Sequence, residues 1–173
     1  TRLEQILEGF LDLARPAVGP RAPARLADLA GEVVGLLEAE AEGRGVRLEH
    51  DGDLSCAEAS IDREAVRRAL VNLVRNAIEA SPRGGRVRLA LERDDAHVRF
   101  RVSDDGPGVD SQLADRAFDP FVTSRAEGVG LGLALVRRVA REHGGWARLD
   151  EREGGGTDAV LELEIDEPNG VTR

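Results

Sequence analysis

Asn72 and Asn76, one helical turn apart, are residues whose type and spacing could do chemistry. At about 100° of rotation per residue, Val66, Ala69, Leu70, Leu73, Val74 and Ala77 form one apolar stripe, and the two amides stand on its edge. Asn is a poor helix former, so two inside one helix call for a reason. Stacked at the border of core and water, they can aim side-chain oxygens at one external object, or they are a pair of surface amides. Three later stretches bear on the choice. Asp104-Asp105-Gly106-Pro107-Gly108 sets a carboxylate at a strand end before a turn. Residues 118–129 form a long irregular segment with Phe118, Pro120, Phe121, Thr123, Ser124 and Arg125, of a kind that is functional or disordered. Gly128, Gly130 and Gly132 then open an apolar helix. Backbone N–H groups and the helix dipole at such a terminus suit a polyphosphate. Their spacing is not G-x-G-x-x-G, and tight helix packing alone also explains glycines there.

The elements that must position these residues follow from periodicity and punctuation. An amphipathic helix is expected over 1–14 and stops at Arg15-Pro16, followed by a Pro, Gly and Arg rich linker. Residues 24–42 read as a second helix ended by Gly43 and Gly45. Residues 46–49 read as a strand, and a turn at 50–53 leads into another short strand through Ala59. Asp62 is placed to N-cap the asparagine helix, with Ile61 and Val66 as a hydrophobic staple across the cap. Strands at 86–92 and 97–103 make a hairpin with Val98, Phe100 and Val102 on one face. A helix over 131–141 and strands at 146–149 and 159–165 complete the chain, and the tail after 166 is polar.

Composition excludes several chemistries. All 24 basic residues are Arg. Without Lys there is no Walker A lysine, no protein-kinase-type lysine and no Schiff base. A net charge of −9 argues against a nucleic-acid partner, and Arg63, Arg67, Arg68 and Arg75 read as a solvated helix face. Cys56 is alone, so no disulfide framework or cysteine metal site is expected. No signal peptide or membrane span is evident, so a cytoplasmic location without membrane contact is expected for these residues, and a membrane anchor elsewhere in the parent protein is left open. The absence of Met suggests a piece of a longer polypeptide.

Taken together, the motifs resemble the histidine-kinase catalytic domain, of the ATPase superfamily shared with DNA gyrase, Hsp90 and MutL. Residues 72–77, NLVRNA, match its N box, and 104–108, DDGPG, its first glycine box. FDPF at 118–121 matches the F box, GVGLGL at 128–133 the second glycine box, and GGGT at 154–157 is similar to a weaker last signature. The resemblance implies a two-layer α/β sandwich of the Bergerat type, with a mixed, mostly antiparallel sheet of about five strands and three helices on one face. It implies ATP and Mg²⁺ as ligands. By that resemblance Asp104 accepts a hydrogen bond from the adenine amino group, Asn76 is the metal ligand, and Asn72 touches the phosphates and metal waters. Gly106, Gly108, Gly128, Gly130, Leu131, Gly132, Leu133 and Thr157 would line the nucleotide. Phe118 and Phe121 would shape a lid, and Arg125 would lie near the γ-phosphate as a catalytic cation beside Asn72.

Hydrolysing relatives carry a Glu where Asn72 stands. An amide cannot act as a general base, which favours a kinase over a hydrolase. None of the three histidines sits on a helix followed by an acidic residue. The expected acceptor therefore lies upstream, and residues 1–16 resemble the end of the second helix of the family's dimerisation and phosphotransfer domain. The expected organisation is that helix end at 1–16, a linker at 17–23, the catalytic ATP-binding domain at 24–166 and a tail at 167–173. Expected partners are ATP, a response-regulator receiver domain and the chain's own dimerisation domain, with a homodimer in the whole protein. A degenerate nucleotide or protein-docking module, and a slow ATP-hydrolysing switch, are the alternatives. The first would fail to bind ATP, and the second would release phosphate.

Overall fold

The computed structural model describes residues 19–51, 58–110, 114, 116–123 and 130–165. The expected helix at 1–16, Cys56, Arg125, Gly128 and the tail lie outside them. Residues Ala22–Arg25 form β1, Leu26–Arg44 α1, Arg47–His50 β2, Glu58–Ile61 β3 and Arg63–Ala80 α2. Next come β4 (Arg86–Arg93), β5 (His97–Asp104), a single 3-10 turn (Arg116–Phe118), α3 (Gly132–Glu142), β6 (Trp146–Glu151) and β7 (Thr157–Glu164).

A five-stranded sheet in the order β2-β4-β5-β7-β6 carries the three helices on one face. β2 runs parallel to β4 and the other pairs are antiparallel, which is the expected mixed sandwich. Period-2 alternation fills the core from β5 with Val98, Phe100 and Val102, each fully buried. Opposite them, Leu70, Leu73 and Val74 of α2 and Val136 and Val139 of α3 close the layer. The other sheet face is polar, with ladders such as Arg99–Glu162 and Arg101–Asp158 between neighbouring strands.

One boundary differs from expectation. Ala22–Arg25, read as linker and helix start, pairs antiparallel with β3 as a separate two-stranded sheet, so α1 begins only at Leu26. Pro23 is tolerated because a strand with one partner leaves one N–H side unused. α1 ends at Gly45, in the left-handed region at φ 70°, whose N–H returns to Ala41 and Glu42 carbonyls.

α2 and α3 pack antiparallel, and their far ends are bonded together. Asp62 Oδ1 caps α2 by accepting from Glu64 N–H and Ala65 N–H, each at 3.0 Å, and Ile61 and Val66 are both fully buried beside it. Its other oxygen accepts from Gly19 N–H. Burial raises the Asp62 carboxyl, but the N–H groups of Ala65, Gly19 and Glu64 outweigh it and hold the group below its ordinary value. At the end of α3, His143 is fully buried. Its Nδ1–H donates to the Val139 carbonyl at 2.8 Å, and Nε2 accepts from Asp62 N–H at 3.1 Å. The bond to Nε2 requires the neutral ring, and burial holds the imidazole below its ordinary value, against the Val139 carbonyl and the Asp62 and Glu142 charges; the Arg21 charge adds to the lowering.

The sign of the pH dependence follows. The unfolded His143 takes up a proton first as pH falls, so its contribution is fully present above about 6.5 and is lost below it, at about 1.4 kcal/mol per pH unit until the folded ring also protonates. Urea unfolding of the chain at pH 7.5, 6.5 and 5.5 should show this slope, and His143→Gln should flatten it.

Candidate nucleotide site

Asp104 continues the inward register of β5, so a carboxylate stands where the alternation would place an apolar side chain. It is 5% exposed. Its Oδ1 accepts from Gly106 N–H at 2.8 Å and from Thr157 N–H at 3.2 Å, and Oδ2 takes no part in these two bonds. Burial pushes the carboxyl above its ordinary value; the two N–H donors and the Arg152 charge pull it down, and Asp105 adds to the rise. An acceptor so fixed suits a planar N–H donor entering from outside.

The turn after Asp104 folds against the end of α2. A Cβ at Gly106 would stand 2.7 Å from Asp104 Oδ1 and 2.9 Å from the Ala80 carbonyl oxygen, so no larger residue fits. Gly108, at φ 85°, brings the chain past Glu151 and Gly156.

Further along the same helix, Asn76 is half-buried, and Asn72 lies one turn before it, also half-buried. Asn72 Nδ2 donates to the Arg68 carbonyl at 2.9 Å, the back-bond of a polar residue inside a helix. Its Oδ1 faces the start of α3, where a Cβ on Gly132 would stand 2.6 Å away. Helix α3 begins there without a side-chain cap, leaving its first N–H groups and positive dipole end beside the Asn72 amide. Leu131 is buried and Leu133 packs on the core, which anchors the turn on either side of Gly132.

The described part of the segment from Phe118 to Gly130 is pinned at two points. Phe118 is 3% exposed and belongs to the core, with the Arg137 guanidinium 5.9 Å from its ring centre and Arg137 Nη2 2.6 Å from Asp119 Oδ1. Phe121 is 66% exposed at φ 66°, a conformation costly for a non-glycine residue, and its N–H donates to the Gly130 carbonyl at 2.9 Å. Gly130, at φ 71°, lies so close to the Phe121 and Val122 backbone that a Cβ would stand 2.7 Å from it. The two phenylalanines of one box thus do different things: one is core and one is surface.

Among the described residues, Arg68 Nε on α2 and Ser81 Oγ at its C-cap are shut from solvent with no hydrogen-bond partner. Such orphans are costly, about 1–3 kcal/mol each. Among the described residues no three His, Cys, Asp or Glu side chains gather to hold a metal ion. The amide oxygens of Asn72 and Asn76 suit a hard cation held chiefly by phosphate oxygens and water, and the helix N–H groups suit the phosphates themselves. Sequence reading missed Arg152, whose Nη1–H donates to the Asp104 carbonyl at 2.7 Å from the β6–β7 turn, beside Gly156 of the last glycine signature.

Residues 61–167 match the family model described as histidine kinase-, DNA gyrase B- and HSP90-like ATPase. The chain belongs to this family. Over 164 residues it is 37% identical to the sensor protein CutS of Streptomyces coelicolor, covering 90% of this chain and 39% of CutS. Among solved structures, the catalytic domain of histidine kinase ThkA superposes with a TM-score of 0.79 at 29% identity, covering 85% of this chain and 97% of that one. ThkA in complex with the response regulator protein TrrA gives 0.82 at 28% identity, over 98% and 49%. Full-length ShkA in complex with AMPPNP gives 0.84 at 27% identity, over 99% and 37%. The chain spans 26% to 39% of the lengths of the first curated relatives. Within the described residues no helix is long and apolar enough to cross a membrane.

For this member of the ATPase family, Gly132→Ala separates site geometry from stability. Alanine raises helix propensity by up to about 1 kcal/mol, yet its methyl displaces the Asn72 amide. The expected result is a melting temperature within a few degrees of the unmodified chain and about tenfold weaker binding of AMPPNP by calorimetry.

Proposed function

We propose that this chain is the ATP-binding catalytic part of a two-component sensor histidine kinase. It binds ATP with Mg²⁺, serves transfer of the γ-phosphate to a histidine upstream of these residues, and works for relay to a response-regulator receiver domain. The observation that carries the reading is the arrangement around α2: a buried carboxylate at its C-terminal end, two amides along its edge, and the open N-terminus of α3 facing the first of them. Asp104 is the adenine acceptor, Asn76 the metal ligand, and Asn72 with the N–H groups after Gly130 and Gly132 holds the phosphates. Gly106, Gly108 and Thr157 shape the adenine end, while Leu131, Leu133, Phe118 and Phe121 position the lid. Arg125 and Gly128 complete the phosphate end in this reading. ATP supplies the phosphoryl group; the chain contributes position and electrostatics, which dominate phosphoryl transfer.

The three histidines of the chain do not serve as acceptor. His143 is fully enclosed, His97 holds a hydrogen-bonding distance of 3.3 Å to Asp94 at a strand start, and His50 ends an edge strand. The acceptor helix, the homodimer it would form, the division at residues 16 and 23, and a cytoplasmic setting free of nucleic acid belong to the same proposal. The AMPPNP bound to ShkA and the regulator bound to ThkA support it by likeness.

Calorimetric titration with AMPPNP and Mg²⁺ tests it. Saturable binding is expected, at least about tenfold weaker in Asp104→Ala, with GTP much weaker than ATP. Asn76→Ala should remove the Mg²⁺ dependence of affinity. A folded chain that binds no nucleotide would defeat the proposal and leave a docking module.

A further inference from the structure

The ladder between β5 and β7 stops at the pair Ser103–Asp158. One residue further, Thr157 N–H turns to the Asp104 carboxylate instead of to a backbone carbonyl. The Asp104 carbonyl is met there by Arg152, whose Nη1–H donates to it at 2.7 Å. The same nitrogen lies 3.3 Å from Asp105 Oδ1, and Arg152 Nε lies 3.6 Å from Asp158 Oδ1. Asp158 is itself fixed, accepting from Ser103 Oγ at 2.6 Å. Asp105 is fixed from the other side by Arg86 N–H at 3.0 Å. The turn makes room for this: Arg152 N–H donates to the Gly156 carbonyl at 3.1 Å, and a side chain on Gly156, at φ 93°, would run into the Asp104 carbonyl oxygen.

We infer that Arg152 is a positioning residue for the adenine-binding carboxylate, gripping the Asp104 backbone carbonyl so that the side chain stays aimed inward. This rests on the nucleotide reading of Asp104. A neutral hydrogen bond to that carbonyl would hold the backbone equally well, but only a cation also favours the charged carboxylate in a buried position. The charged groups facing the junction are Arg152 from the β6–β7 turn, Asp105 beside it, Asp158 on β7 and Glu151 at the end of β6. Arg101, which holds Asp158 at 3.3 Å, backs them.

The test is a ¹³C titration of the Asp104 carboxyl in the unmodified chain, Arg152→Gln, Arg152→Lys and Asp105→Asn, beside calorimetry with ADP and Mg²⁺ from pH 8 downward. The Asp104 midpoint is expected to move to higher pH in Arg152→Gln, to lie between in Arg152→Lys, and to move to lower pH in Asp105→Asn. The affinity deficit of Arg152→Gln is expected to grow from under about twofold at pH 8 to about fivefold at the acid end. A midpoint unmoved in Arg152→Gln overturns the inference, as does an affinity loss that is uniform with pH. Should Arg152→Gln not fold, Arg152→Lys and Asp105→Asn decide in the same way. The carboxyl titration needs no ligand, so failure of the unmodified chain to bind ADP would sink the nucleotide reading without touching the result for Arg152.

Discussion

A carboxylate removed from water costs several kcal/mol unless donors replace the lost hydration. Asp104 is placed in that position by simple alternation, because β5 sends every second residue inward and the last of them is an aspartate. Much of the surrounding structure can be understood as supplying the missing donors. β7 must start at Thr157 to offer one N–H, and the chain must turn back at Gly106 to offer the other. For β7 to start there, the β6–β7 connection must reverse within a few residues, which it does through Gly154, Gly155 and Gly156, all at positive φ. For the chain to turn at Gly106, the turn must lie against Ala80, which sets where α2 can end. One buried charge thus couples two strands, one turn and one helix.

The second constraint is the antiparallel pair of α2 and α3. It is tied at one end by Asp62 and His143 and meets at the other through Asn72 and Gly132. The first is a hydrogen bond and the second a close approach that leaves no room for a side chain on Gly132, so the open N-terminus of α3 lies directly against the asparagine edge of α2. The N-terminal strand joins the same knot, since Gly19 N–H reaches Asp62 and Arg21 Nη2 donates to the Glu142 carbonyl at 2.8 Å. A segment entering the domain is therefore fastened to the ends of both helices that border the site.

Local signals made much of this legible before any coordinates. The Asp62 cap, the Gly45 helix stop and the β4–β5 hairpin each depend on neighbours within a few residues, and each stands where composition and period placed it. The family motifs added the order of the site segments. What escaped reading depends on contacts across the chain. β1 carries Pro23 and follows a run holding Pro16, Gly19 and Pro20, so its sequence reads as linker; only pairing with β3, more than thirty residues away, makes it a strand. His143 could be read as structural but not as the acceptor of an N–H from Asp62, 81 residues earlier. Arg152 is one arginine among many in a polar turn, and its grip on Asp104 arises only once β7 has brought that turn back beside β5. Phe118 and Phe121 share a motif, yet Phe121 takes left-handed backbone at φ 66°, and one ring is buried while the other is exposed to solvent.

Asn72 shows how the two constraints meet in one side chain. Its Nδ2 is spent on the Arg68 carbonyl, so the amide cannot rotate freely, and Oδ1 is left toward the N-terminus of α3. An amide oxygen there can accept from a water or take part in a metal's shell, but it cannot remove a proton from water at neutral pH. A carboxylate of similar length would place full negative charge against the same helix terminus, where it would be welcomed by the dipole and would compete with an incoming phosphate for those N–H groups. The amide keeps the terminus electrostatically open to an anion while still presenting an oxygen, and that combination suits holding a polyphosphate intact better than cleaving it.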